Sequence, residues 1–216
     1  RAAVRLAREA AGPGVFVAGS VGPCADPGAA VPPEAQARHD AAFDEQMACL
    51  AEAGADLLLL ETFHDLAALR RAARVARSKG LFVLASFTLE PLAGAEAADP
   101  PEAVLARALD ADPNVDGIGL NCGRGPADLF YAVQHVVRSV RKPVVAMPNA
   151  GGPREVGGRM LYLNSPEYFT EFCKRYIELG ARVVPFAEKS AFAAALAAGR
   201  RVTSIEMLPP ASGAGL

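Results

Sequence analysis

Along the chain, short β-branched or leucine-rich runs alternate with longer stretches in which apolar residues recur at helical spacing. Repeated βα units around a parallel sheet leave this pattern. Six runs read as strands: Val15–Val21, Leu57–Thr62, Leu81–Phe87, Gly117–Cys122, Val144–Asn149 and a shorter Ala181–Val184. Each is almost continuously apolar, as a strand covered on both faces should be. Most close on polar residues: Ser20, Glu61, Ser86, Asn121 with Cys122, and Asn149.

The stretches between carry helix start and stop signals. Asp99 is placed to cap a helix with Pro100 in its first position and Glu102 completing a capping box, and Ser165-Pro166 repeats the opening. From about Glu167, one stripe holds Phe169, Phe172, Cys173, Tyr176 and Leu179, and the helix stops at Gly180. Asp40–Ala53 stops at Gly54 and Asp65–Lys79 at Gly80, so helix, glycine, strand recurs three times.

Consecutive βα units fit an open doubly wound sheet or a closed eightfold barrel. Neither G-x-G-x-x-G nor G-x-x-x-x-G-K-[ST] occurs, which argues against a nucleotide-binding open sheet. Polar residues at the ends of several strands instead suit the C-terminal rim of a barrel, where catalytic groups converge. The fold expected is α/β, an incomplete (β/α)8 TIM barrel of about six strands, with roughly two opening units missing from the N-terminal side. Beyond Pro185 the pattern breaks: Phe186–Ala198 is an alanine-rich helix ending at Gly199, and Arg201–Leu208 is a fresh strand before Pro209-Pro210. The division expected is therefore a barrel part over 1–184, a linker helix over 185–200 and the start of another domain over 201–216.

Composition narrows the function. With 216 residues, 51% hydrophobic and 21% charged, the chain is large and apolar enough for one sizeable core, which excludes disorder. A net charge of −2 offers no basic field for nucleic acid, and no apolar run reaches the roughly 18 residues of a membrane span. A cytoplasmic protein without nucleic-acid or membrane partners is expected. The four cysteines, Cys24, Cys49, Cys122 and Cys173, are too dilute for a disulfide scaffold. Residue 1 is Arg, not an initiator Met, so the chain is expected to begin within a longer protein.

Cys122 is the sharpest chemical candidate, since a thiol at the end of Gly117–Cys122 and next to Gly123 would face the rim; it reads either as a small packing residue or as a metal ligand. Glu61 closes an apolar strand and needs a partner, either an arginine or a ligand's ammonium. Asn149 precedes Ala150-Gly151-Gly152, a turn by composition or a loop whose amides meet a polar ligand, and Ser20 sits in a similar strand-end loop. His39, His64 and His135 form no metal spacing and read as solvated or locally satisfied. Cys49 and Cys173 read as core, and Cys24 lies just past a strand end.

Ala18-Gly-Ser-Val-Gly-Pro23, Asp56-Leu-Leu-Leu-Leu-Glu-Thr62, Gly119-Leu-Asn-Cys-Gly123 and Met147-Pro-Asn-Ala-Gly151, in that order, resemble the homocysteine S-methyltransferase family from about Arg1 to Val184. The resemblance implies a zinc-dependent barrel whose metal holds homocysteine sulfur as a thiolate able to take a methyl group from a donor. It implies Cys122 as the first zinc thiolate, Glu61 as the receiver of the amino-acid end of homocysteine, and Asn149 and Ser20 on the substrate side. The family's Gly-Gly-Cys-Cys-Gly motif, which supplies two more thiolates, is absent: Ala181-Arg-Val-Val184 runs into Pro185-Phe186-Ala187. The N-terminal Gly-Asp-Gly-like loop and the second-strand Asn-Thr-Phe loop are absent too. One thiolate does not complete a zinc site, so the isolated chain is expected to be a poor or inactive catalyst.

Val202-Thr-Ser-Ile-Glu-Met-Leu-Pro-Pro210 resembles the first strand of the methylenetetrahydrofolate reductase barrel. The chain thus resembles a piece of a bifunctional protein joining both domains, whose parent would also use FAD. Two readings follow: methyl transfer to the zinc-activated thiol of homocysteine, giving methionine, or a non-catalytic remnant that binds a small amino acid or a partner protein.

Overall fold

The computed structural model describes residues 1–11, 15–26, 31–88, 100–123, 125–149, 151, 154–157, 159–161 and 164–181. Helix α1 (Ala2–Ala11) leads into β1 (Ala18–Val21), α2 (Pro33–Glu52), β2 (Leu57–Phe63), α3 (Leu66–Arg77), β3 (Phe82–Phe87), α4 (Pro101–Asp110) and β4 (Gly117–Cys122). Helix α5 (Pro126–Ser139), β5 (Val144–Pro148), a hairpin of β6 (Arg154–Val156) and β7 (Arg159–Leu161), and α6 (Pro166–Leu179) follow.

The first five strands form one sheet in the order β1-β2-β3-β4-β5, every pair parallel. The order never reverses, so the sheet has no switch point, and right-handed crossovers in one direction carry every intervening helix to the same face. That arrangement is a sector of a (β/α)8 barrel, open among the described residues.

Register assigns the two faces. Val21, Leu58, Leu60, Val83, Ala85, Ile118, Leu120, Val144 and Ala146 turn outward and share one core with Phe43 and Met47 of α2, Leu69 of α3, Leu109 of α4, Val133 of α5 and Tyr176 of α6. Each large side chain removed from water there contributes roughly 1.5–3 kcal/mol. The opposite, concave face carries Leu57, Leu59, Leu84, Val145 and Met147 as a smaller apolar layer. Above that layer, toward the C-terminal rim, the same alternation brings in Ser20, Glu61, Ser86 and Asn121.

The opposite rim is stapled twice in the same way. Asp56, just before β2, accepts the Val17 N–H at 2.6 Å and pairs with Arg8 of α1. Asp116, just before β4, accepts the Val83 N–H at 2.8 Å and pairs with Arg77 of α3 at 2.7 Å. Asp110 receives the N–H groups of Arg141 and Lys142 at 3.0 and 2.9 Å, tying the end of α4 to the approach to β5.

Several sequence expectations need correction. Strand β1 begins at Ala18, not Val15, and β2 runs one residue further, to Phe63. Helix α2 begins at Pro33, seven residues before Asp40, because proline at the first turn forfeits no hydrogen bond. Helix α1 and the β6–β7 hairpin were not foreseen, although Val4 and Ala7 bury one side of α1 at helical spacing.

The N-cap of α4 is Pro100, one residue later than expected and without a side-chain bond, and Glu102, only 8% exposed, meets His135 Nδ1 at 2.6 Å. His135 is therefore satisfied across two helices and not locally. At α6 the expected cap holds, with Ser165 accepting from Tyr168 and Gly180 left-handed at φ 107°. Asp99, residues 182–184 of the short sixth strand, the 185–200 helix and the 201–208 strand lie outside the described residues.

Candidate functional site

Between the pairs Leu60↔Ala85 and Phe63↔Phe87 the register of β2 shifts, so Glu61 and Thr62 together stand opposite Ser86. Such a bulge re-aims side chains at a barrel rim. Here it puts Thr62 at φ 62°, and two strands away Cys122 closes β4 at φ 63°. Left-handed backbone is costly for any residue with a Cβ and more so for β-branched threonine, by roughly 1–3 kcal/mol each. Something must hold both.

The Asn121 side chain does so. It is 3% exposed, and its Oδ1 accepts the Thr62 N–H at 2.9 Å and the hydroxyl of fully buried Ser86 at 2.7 Å. Its Nδ2 donates to Thr62 Oγ1 at 2.7 Å and approaches Cys122 Sγ at 3.4 Å. The amide orientation is set by these partners, because reversing it would aim NH2 at the Thr62 N–H. Thr62 Oγ1 in turn lies 3.6 Å from Cys122 Sγ. Gly119 makes room for the arrangement, since a Cβ there would stand 2.6 Å from Ser86 Cβ.

The four residues singled out from sequence all lie at this rim. Ser20 of β1 donates its hydroxyl to Glu61 Oε1, and its carbonyl accepts from Gln46 Nε2 at 3.3 Å. Glu61 is half-buried and finds a hydroxyl, not an arginine, as its partner. Cys122 is half-buried beside Thr62 and Asn121. Asn149, just past β5, donates to the Gly123 carbonyl at 2.9 Å and so links β5 to the residue after the thiol. Sequence reasoning marked Ser86 and Asn121 only as polar strand ends and gave Thr62 no role. Their inward register, two apart from Leu84 and Gly119, was the available signal.

The other cysteines stand apart. Cys173 is buried in α6, and burial pushes its thiol up to about 12, so it stays protonated in the core. Cys49 is half-buried on α2 and Cys24 is exposed beyond β1. Burial, then the nearby Asp40 charge, raises the Cys24 thiol above its ordinary value. Among the described residues no three His, Cys, Asp or Glu side chains converge to hold a metal ion, and no helix is long and apolar enough to cross a membrane.

Residues 1–184 match the family model described as homocysteine S-methyltransferase. The chain belongs to that family. Methionine synthase from Mycobacterium tuberculosis is 36% identical over 124 residues, covering 52% of this chain and 10% of that protein. The chain thus spans about a tenth of that curated relative. Among solved structures, the apo homocysteine methyltransferase MmuM from Escherichia coli superposes with a TM-score of 0.60 at 24% identity over 85% of this chain and 62% of its own. Its metallated form gives 0.61 at 23% identity, over 86% and 61%. At these identities the structural match carries the fold, and it supports the barrel sector over the doubly wound alternative.

Proposed function

We propose that this chain carries the substrate side of a homocysteine methyltransferase site and serves the family reaction, in which homocysteine sulfur takes a methyl group from a donor and leaves as methionine. In that transfer a carbon–sulfur bond forms as the bond between the methyl carbon and its carrier breaks, and the thiol proton is lost. The observation that carries this reading is the convergence of Ser20, Glu61, Cys122 and Asn149 on one rim, within segments that match the family.

Each residue has a chemical task in it. Glu61 supplies a carboxylate for the substrate ammonium, and the Ser20 hydroxyl occupies one of its oxygens so that the other is free to face the ligand. Asn149, anchored on the Gly123 carbonyl, keeps the β4 and β5 ends together beside the thiol. The M. tuberculosis relative's name supports methionine as the product, and family membership favours transfer over a partner-binding remnant.

Zinc fits this chain poorly. A zinc site takes three or four donors, and among the described residues the rim offers the Cys122 sulfur, with Thr62 and Asn121 as neutral neighbours. Cys49 and Cys173 sit on helices, and the sequence has no further cysteine beyond Cys24. We infer that the chain alone turns over poorly, and that residues 185–216 belong to a linker and the opening of a reductase-like domain in a cytoplasmic parent protein.

Calorimetric titration with homocysteine tests the reading. Binding is expected to weaken at least about tenfold in Glu61→Gln, the equivalent of one charge-assisted bond, with the thermal midpoint unchanged. Because the donor set fits zinc poorly, methionine should bind about as well as homocysteine. Equal affinity of the wild type and Glu61→Gln for homocysteine overturns the assignment.

A further inference from the structure

Asn121 spends every polar atom of its side chain inside the rim, bridging β2, β3 and β4, and touches the Cys122 thiol. A buried amide used only to stabilise a bulge would need its bonds to Thr62 and Ser86 alone. Here the second N–H of Nδ2 is directed at Cys122 Sγ, and the Thr62 hydroxyl that accepts the first lies 3.6 Å from the same sulfur, with either atom able to donate. Both strained residues, Thr62 and Cys122, are thereby tied to one side chain.

We propose that Asn121 is the positioning residue of this site: its carboxamide locks the Thr62 bulge and, directly and through the Thr62 hydroxyl, fixes the direction of the Cys122 sulfur. Two hydrogen-bonding groups converge on that atom, so its rotamer is set. Glu61, the carboxylate read as the ammonium receiver, precedes Thr62 in the same bulge, so one amide also sets the spacing between the sulfur and that residue. The inference rests on the reading of Cys122 as the rim thiol, but not on metal binding or turnover.

The test is alkylation of Cys122 by iodoacetamide in the full chain, followed by mass spectrometry of the Cys122 peptide. The rate is taken where it no longer climbs with pH, so every variant presents the same thiolate population. Asn121→Ala is expected to react at least about fivefold faster, as loss of one hydrogen bond of ordinary strength allows. Thr62→Val, which keeps the β-branch but loses the hydroxyl, should react about two- to fivefold faster, and Thr62→Ser should restore the wild-type rate.

Should Asn121→Ala fail to fold, the Thr62 pair decides alone. Raman spectra of wild type and Thr62→Val at neutral pH give a second readout. The S–H stretch assigned by its loss in Cys122→Ser should shift in Thr62→Val, upward if the S–H donates to Thr62 and downward if the sulfur accepts from it. Unchanged rates and an unmoved band in folded variants overturn the proposal while leaving the homocysteine titration untouched. Conversely, a failed titration with the expected alkylation rates overturns the functional reading alone.

Discussion

Thr62 Oγ1 and Cys122 Sγ lie 3.6 Å apart across the rim, joining two residues sixty positions apart in the chain. Both hold left-handed backbone, at φ 62° and 63°, and both depend on Asn121 to stay there. The rim is thus a place where local backbone preference is overruled by a small buried hydrogen-bond network.

That network needs space behind it. In Gly119→Ala the new Cβ would stand 2.6 Å from Ser86 Cβ and 2.7 Å from its Oγ, both inside van der Waals contact. The strands would have to part, at a cost of about 1–3 kcal/mol. Urea denaturation should show the loss as a lower midpoint at unchanged slope. A variant as stable as the wild type would mean that the sheet relaxes freely at this point.

Acid should open the opposite rim. Burial pushes the Asp56 carboxyl up, but the Val17 N–H and the Arg8 guanidinium outweigh it and hold Asp56 below its ordinary value of 3.8. The same balance, with the N–H groups of Lys142 and Arg141, lowers Asp110, and Arg70 with Asn114 lowers Asp112. A carboxylate that binds its proton less tightly when folded lends stability that is complete above its unfolded value and lost as pH falls through the folded one. Denaturation midpoints should therefore be flat above about pH 5 and fall below about pH 4. In Asp56→Asn the neutral-pH midpoint should drop and the acid slope should flatten; an acid slope as steep as the wild type's would refute the staple.

Removal of His135 should be felt in the α4–α5 contact. Glu102 is 8% exposed and its Oε1 lies 2.6 Å from His135 Nδ1. His135→Ala strands a nearly buried carboxylate and should destabilise by about 1–3 kcal/mol. The double variant His135→Ala with Glu102→Ala should recover part of that loss in a thermal-melt cycle. Simple additivity of the two losses would show that the pair does not interact.

How much of this was legible beforehand differs by element. The alternation of apolar runs and helices gave five of the strands and their order, because strands covered on both faces cannot hide a polar stretch. Gly54, Gly80 and Gly180 marked helix ends correctly because each takes a positive φ there. Glu61, Cys122 and Asn149 could be placed on one rim beforehand because strand ends of a barrel converge. The Glu61–Thr62 bulge was not visible, since nothing in Leu-Leu-Leu-Leu-Glu-Thr distinguishes a bulged strand from a straight one until Asn121 is placed opposite it. Glu102 misled for a related reason: a capping-box spacing describes only local partners, and its true partner came from another helix.

We propose that this chain holds the substrate-facing residues of a homocysteine site around a lone rim thiol, Cys122, without a complete zinc ligand set. Counting zinc decides it most directly: the purified chain is loaded with zinc, dialysed, and its metal measured by mass spectrometry alongside Cys122→Ala. Both proteins should retain only background zinc. About one equivalent held by the wild type and lost in Cys122→Ala would contradict the account, because it would require a complete ligand set around that sulfur.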